Sequence, residues 1–302
     1  MSKVLVIGAS GFLGGRIVRE LISQGHAVRC LARDPEKIRD LVAAGCEAIK
    51  GDISDTELVK QALKSMQAVY IAIHTISQQP GSRGDRFMEV EANGIHNVVA
   101  GCKANGVNRL IYVTSLGIKR DSRSEWLRER WRIEESVLAS GLDATIIRPG
   151  MIVGSGGRGF EMLAAQAKRR VAVFLGSKHK MRTIAVDDLI YYLVGALDQS
   201  ATFGRRFDVG NDEVLSNAEV VDGVAEVLRR PHPAKLKLPP GLLGTFAPLI
   251  ERMGKLPAGS IKGFVDSLDA EAYSNPEPIR SILPRPLLSF SQAARKALEE
   301  TS

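Results

Sequence analysis

The chain has 302 residues, 44% hydrophobic and 25% charged, with a formal net charge of +7. That balance excludes an intrinsically disordered chain, and the length suits one large α/β domain, or one domain with a small appendage. The lysines and arginines are spread through the chain and form no run interleaved with aromatics, which argues against nucleic-acid binding, and no stretch approaches the roughly 18 apolar residues of a membrane span.

In chain order, "KVLVIGA" is a short buried-strand pattern, and "FLGGRIVRELISQG" has helical periodicity closed by Gly25. "AVRCLAR" reads as a second strand, residues 36–44 as a helix and "EAIKGD" as a third strand. "SDTELVKQALKSM" opens with a capping-box pattern, Ser54 followed by Glu57. "AVYIAIH" is the fourth strand, "RFMEVEANGIHNVVAGCKANGV" a long helix and "RLIYVTS" the fifth strand. A helix over residues 124–140 precedes the sixth strand, "ATIIRPG", and Asp187 is placed to cap "DDLIYYLVGAL". Apolar strands alternating with amphipathic helices predict an α/β fold, a doubly wound parallel Rossmann sheet with helices on both faces.

Beyond residue 230 the texture changes. "RRPHPAKLKLPPG" reads as a connection, and Leu242, Phe246, Leu249, Ile250 and Met253 share a helical face. "GSIKGFVDSL" is a second amphipathic piece, "SNPEPIRSILPRPLLSF" proline-broken coil and "SFSQAARKALEE" a helix with Ser291 as cap. The expected division is therefore a nucleotide-binding domain over 1–230 and a small helical lid or substrate region over 231–302. That tail is expected to pack on the nucleotide domain rather than anchor to a membrane through Lys235, Lys237, Arg252, Lys255 and Lys262.

Cys30, Cys46 and Cys102 form no C-x-x-C pair, so neither a disulfide framework nor a metal site is indicated, and Cys30 and Cys102 read as small core residues. The N-terminus offers too short an apolar run for a signal peptide, and the expected location is the cytoplasm.

The most informative motif is "VLVIGASGFLGGRIV". Between a buried strand and a helix, glycines give a tight turn, close approach of backbone N–H groups to a diphosphate, and close packing of helix on strand. Gly8, Ser10, Gly11, Phe12, Leu13 and Gly14 are the expected cradle, with the positive helix end facing the phosphates. At the end of the second strand "CLARDPEK" places Arg33 where an NAD site usually has an acid, and a guanidinium suits a 2′-phosphate. NADP is therefore the expected cofactor, ahead of NAD, while Asp34 is either a ribose acid or a helix cap. Asp52 and Ile53 are placed to meet the adenine, although Asp52 equally suits a turn before Ser54.

With these residues in place the sequence resembles the short-chain dehydrogenase/reductase superfamily, most closely its atypical members, the NmrA-like NAD(P)H-binding proteins and the NDUFA-nine-like relatives of a complex I accessory subunit. The resemblance covers roughly residues 3–230 and includes Gly51–Asp52, Asn93, "GVNRLIYVTSLG", Glu134 to Gly150 and "IAVDDL". It implies that Asn93 supports a proton relay or packs its helix, that Ser115 holds a substrate carbonyl unless the register puts Leu116 there, and that Pro149 and Gly150 line the nicotinamide. His74 is either a neighbour of the nicotinamide ribose or a structural histidine.

One segment departs from the pattern. Relatives carry tyrosine, three residues, lysine, then glutamate four residues later; with Glu134 fixing the alignment, Trp126 and Arg130 take the tyrosine and lysine positions. An indole N–H cannot release a proton near neutral pH, and an arginine does not titrate there. Losing general acid catalysis, worth about 10²–10⁴-fold, cripples ordinary ketone reduction. Ser115, Trp126 and Arg130 are thus a degenerate catalytic set, with Arg130 still suited to bonding the nicotinamide ribose. Trp126 either stacks over a bound ring or packs on the domain surface, and Arg123, Arg128, Arg130 and Arg132 read as a solvated helix face matched by Glu125, Glu129 and Glu134. Two functions follow: reduction of a quinone, flavin or other conjugated acceptor with the glycine-rich loop 153–160 as a gate, or a non-catalytic NADP(H)-binding sensor or accessory subunit with a protein partner. Oligomeric state is not legible in the sequence.

Overall fold

The computed structural model describes residues 1–73, 87–175, 180–238, 251 and 275–300. Two compact units divide the chain, the first formed by Met1–Thr114, Glu129–Ile147 and Ile190–Phe207, the second by Ser115–Arg128, Arg148–Leu189 and Asp208–Ser302.

The alternation read from the sequence is present. Strand β1 (Lys3–Ile7) leads to α1 (Phe12–Ser23), then β2 (Ala27–Ala32), α2 (Arg39–Ala43), β3 (Glu47–Lys50), α3 (Thr56–Ala62), β4 (Ala68–Ile71), α4 (Phe87–Asn105), β5 (Arg109–Val113), α5 (Glu125–Leu138) and β6 (Asp143–Pro149). With β10 (Arg205–Val209) they build a seven-stranded sheet in the order β10-β6-β5-β4-β1-β2-β3. Every pair from β3 across to β6 is parallel. The order reverses between β1 and β4, where a doubly wound sheet opens its ligand crevice beyond the carboxyl ends of the strands. Strands β4 and β5 are buried at every position, as expected of strands covered on both faces. The first core gathers Leu5, Ile7, Leu31, Val69, Ile71, Ile95, Val98, Leu110 and Ile146 around this sheet. Cys30, Cys46 and Cys102 are all buried and free, so two of them take the core role expected.

The second unit contains β7 (Met151–Val153), α6 (Arg158–Ala167), β8 (Val171–Leu175), β9 (Lys180–Ala185), β11 (Val214–Ser216), α8 (Asn217–Val227), β12 (Ala234–Leu238), α9 (Glu277–Ile282) and α10 (Phe290–Glu299), and α7 runs from Val186 to Gly195. Strands β11, β9 and β7 form one small sheet, and β12 pairs with β8 in another. Phe160, Phe174, Val220, Val224, Phe290 and Ala294 share the second core.

Several local expectations are corrected. Asp55, not Ser54, caps α3, its carboxylate accepting the Leu58 N–H, because Ser54 is drawn into a turn by Asp52. Ser289, not Ser291, caps α10, in a reciprocal pair with Gln292. Asp187 lies in the first turn of α7 and binds Lys296. Residues 36–44 split into a tight turn, Pro35–Ile38, and the short α2. The supposed connection after residue 230 contains β12, and the supposed coil after Asn275 contains α9. The loop read as 153–160 is shorter, since Val153 ends β7 and Arg158 already begins α6. The missed strand β12 follows from a partner distant in sequence, β8, which local patterning cannot register. Leu242, Phe246, Leu249, Ile250 and Met253, and the stretch "GSIKGFVDSL", lie outside the described residues.

Candidate functional site

The turn between β1 and α1 is shaped by contacts that exclude side chains. Gly8 adopts φ 96°, and a Cβ there would stand 2.5 Å from the Ala72 carbonyl oxygen. A Cβ on Gly14 would meet the carbonyl carbon of Gly8 at 2.6 Å and the Ala9 Cα at 2.9 Å. These obstacles are backbone and cannot move aside, so helix and strand approach as closely as a phosphate cradle demands. Gly11 N–H donates to the Gly8 carbonyl at 2.9 Å, closing the turn. Gly11 is also the N-cap of α1; no side chain caps that end, and the first turn carries no acidic residue. The opening amides of a 12-residue helix, with its positive dipole end, are thereby left for an anion. The local geometry fits a dinucleotide diphosphate, and Gly8, Ser10, Gly11, Phe12, Leu13 and Gly14 all lie in this turn and first helical residues.

Two further predicted residues meet beside it on the first unit. Arg33, just beyond β2, has its Nε 3.9 Å from the Asp52 carboxylate, just beyond β3. Asp52 has two duties, because its other oxygen accepts from the Ser54 N–H at 2.9 Å and the Ser54 hydroxyl at 2.7 Å. Asp34 takes the capping role, its carboxylate accepting from the Glu36 N–H at 3.2 Å. Ile53 is buried against Gly94 of α4, where a Cβ would come within 2.7 Å of the isoleucine side chain. The Ile53–Ser54 backbone is fastened by Asn97, a residue sequence reading missed, whose amide donates to both carbonyls at 3.1 and 3.2 Å. Asn93, by contrast, is exposed. His74 lies outside the described residues.

The largest correction concerns α5. Arg130 is not on a solvated face: its side chain is 5% exposed and its Nη2 donates at 3.2 Å to Glu91 of α4, itself 1% exposed. Tyr112 of β5 donates its hydroxyl to the same carboxylate at 2.9 Å. Burial opposes charge on Arg130, but Glu91, with Tyr112 and Glu134, outweighs it and raises the guanidinium pKa. Burial and then the Glu91 charge hold the Tyr112 phenol well above its ordinary value, so this tyrosine does not replace the missing acid. Glu134 is also fully buried and accepts from the Thr114 hydroxyl at 2.7 Å. Arg132 and Glu129 keep the exposed helical pairing expected, at 2.7 Å. Glu91 left a readable signal: it lies on the stripe of Ile95, Val98 and Cys102, an acid at helical spacing on an otherwise buried face.

The remaining predicted residues belong to the second unit. Trp126 is half-buried in the first turn of α5, and Ser115 is half-buried two residues beyond β5. Leu116 is buried and donates its N–H to the Pro149 carbonyl at 3.0 Å. Pro149 is buried and ends β6, while Gly150 N–H donates to the Val209 carbonyl at 2.8 Å.

A parallel sheet in this strand order, with a glycine turn opening an uncapped helix after β1, defines a dinucleotide-binding protein of the Rossmann class. The chain belongs to a family described as NAD(P)H-binding, whose model matches residues 8–199. Among curated proteins it is 26% identical to the NAD(P)H azoreductase of Xenophilus azovorans, over 76% of this chain and 74% of that protein. It is 27% identical to the mitochondrial NADH dehydrogenase (ubiquinone) 1 alpha subcomplex subunit 9 of Arabidopsis thaliana, over 78% of this chain and 60% of the relative, in line with the resemblance drawn above. In fold it is similar to the Escherichia coli NADPH-dependent quinone oxidoreductase QOR2 solved with NADPH, with a TM-score of 0.75 at 18% identity, covering 96% of this chain and 98% of that one.

Proposed function

We propose that this protein is an NADP(H)-dependent reductase of a conjugated acceptor, such as a quinone or a flavin, working without a protein acid. The observation that carries the reading is the replacement of the proton-donating pair by Trp126 and by an Arg130 committed to Glu91. Neither side chain supplies a proton near neutral pH, so a suitable acceptor is one whose reduced form takes its proton from water.

Gly8 to Gly14 would hold the diphosphate, and Arg33 the 2′-phosphate that favours NADP over NAD. Asp52 and Ile53 would border the adenine. Pro149 and Gly150 are assigned to the nicotinamide side, with Ser115 and Trp126 toward the acceptor and Arg130 toward the ribose. The cofactor supplies a hydride when bound; the chain binds and orients it, with Arg130 of α5 held as the charged partner of Glu91. Residues 231–302 form the proposed lid or substrate region, and the cytoplasm is the proposed location. Similarity to an azoreductase, whose name denotes reduction of a conjugated bond, supports the acceptor class.

A second reading rests on the same ion pair: with Arg130 engaged by Glu91, the site suits a nucleotide held as a structural or regulatory ligand. Titration of the full chain with NADPH and NADH, followed by a panel of quinones, flavins and aldehydes, separates the two. Oxidation of NADPH by quinones or flavins, with aldehydes inert, supports the reductase. Tight NADPH binding with no oxidation across the panel favours the binding module, and no binding of either nucleotide removes both.

A further inference from the structure

We propose that the face formed by β8 and β12 is a docking surface for an anionic lipid bilayer. Among the described residues six large hydrophobic side chains are exposed, and four of them gather here: Met162 at 68%, Val171 at 47%, Val173 at 36% and Leu236 at 50%. The parallel pairing sets Val171 beside Ala234 and Val173 beside Leu236, so the apolar side chains share one face. The opposite face holds Ala172 and Phe174, which are buried in the second core. Met162 adjoins this strip, lying one helical turn before Gln166, whose amide grips both backbone groups of Val173, at 3.1 and 3.3 Å. Single exposed apolar residues are ordinary, whereas a contiguous apolar face marks an interaction site.

Cations fringe the strip. Arg169 and Arg170 precede β8, and Arg229 and Arg230 follow α8, all exposed. The two turns are tied together, Ala234 N–H donating to the Arg170 carbonyl at 3.0 Å and Arg230 to the Lys168 carbonyl at 3.4 Å. Nearby carboxylates are already engaged, Asp222 by Lys235 and Glu226 by His232 at 3.2 Å. Aliphatic side chains inside a basic rim match a membrane surface, with acyl chains at the centre and phosphate headgroups around it.

Other occupants fit less well. Strand addition at the outer edge of β8 is blocked where Gln166 takes both Val173 backbone groups. A second copy would bring like charges face to face. Single-stranded nucleic acid seeks aromatic stacking surfaces, and this strip is aliphatic. Among the described residues no helix is long and apolar enough to cross a membrane, so the contact is peripheral.

The test is sedimentation of the full chain with phosphatidylcholine vesicles, with and without phosphatidylserine; it needs no nucleotide and is independent of the reductase reading. The wild-type chain is expected to pellet with the phosphatidylserine vesicles and to be released by salt. Arg169→Ala with Arg170→Ala should weaken binding about 25-fold, at roughly fivefold per cation. Val173→Asp with Leu236→Asp should abolish it. Both pairs are exposed, and an unchanged thermal melt and circular dichroism spectrum certify that the variants are folded. Equal binding to neutral vesicles, no binding, or variants that pellet like the wild type would overturn the proposal. So would displacement by duplex DNA, or a dimer that Val173→Asp with Leu236→Asp dissolves.

Discussion

Replacing Glu91 with glutamine tests the central structural claim of the site, that Arg130 is a buried cation paired with the Glu91 carboxylate. Glutamine keeps an oxygen to accept from the Tyr112 hydroxyl and nearly the same volume, so the change removes charge and little else. With side chains 1% and 5% exposed, solvent screens the pair poorly. Breaking such a pair from one side leaves a cation in a poorly solvated place and costs about 3–5 kcal/mol. A pair on a solvated helix face, the arrangement the sequence suggested for Arg130, is worth about 0–1 kcal/mol. Urea unfolding followed by circular dichroism distinguishes the two, provided the slope with denaturant is unchanged. We expect Glu91→Gln to lose about 3 kcal/mol, and Glu91→Gln with Arg130→Met to regain most of it, because the uncompensated cation is gone while Tyr112 keeps its acceptor. A loss below about 1 kcal/mol in Glu91→Gln would refute the reasoning.

Gly14→Ala should abolish nucleotide binding or unfold the turn, since its Cβ would come within 2.6 Å of the Gly8 carbonyl carbon; wild-type affinity in a titration would contradict the cradle geometry. Arg33→Ala should weaken NADPH by about 10- to 100-fold while leaving NADH within a few-fold, the loss of one charged hydrogen-bonding group; equal losses for both nucleotides would remove Arg33 from the 2′-phosphate. Burial raises the Cys102 thiol to about 12 and Cys30 higher still, so iodoacetamide at neutral pH should label neither in the folded chain, and both should react once urea exposes them; stoichiometric native labelling would count against the core. The Ser216 N–H and hydroxyl hold the Glu219 carboxylate below its usual range at the start of α8. That folded pKa lies below the unfolded value, so the stabilisation is complete above the unfolded carboxylate range and fades as pH falls through the folded value. Ser216→Ala should cost about 1 kcal/mol at neutral pH and less in acid, and a cost independent of pH would argue against the capping pair.

The amino-acid sequence alone determined the parts governed by near neighbours. Period and apolar runs specify β1 to β6 and the helices between them, and the glycines at 8, 11 and 14 announce a turn that tolerates no side chain. The sequence placed Arg33 and Asp52 just beyond two strand ends, and the parallel pairing of those strands brings the two side chains together. Tertiary structure decided what depends on partners far along the chain. Glu91 and Arg130 are 39 residues apart, and nothing in "RERWRIEES" distinguishes a buried guanidinium from a solvated one. Strand β12, inside a proline-rich stretch that reads as a connection, exists because β8 offers it an edge more than 50 residues earlier. Helix periodicity is written locally in hydrogen bonds four residues apart, whereas the burial of a charge or the pairing of a short strand is set by whichever surface the folded chain brings against it.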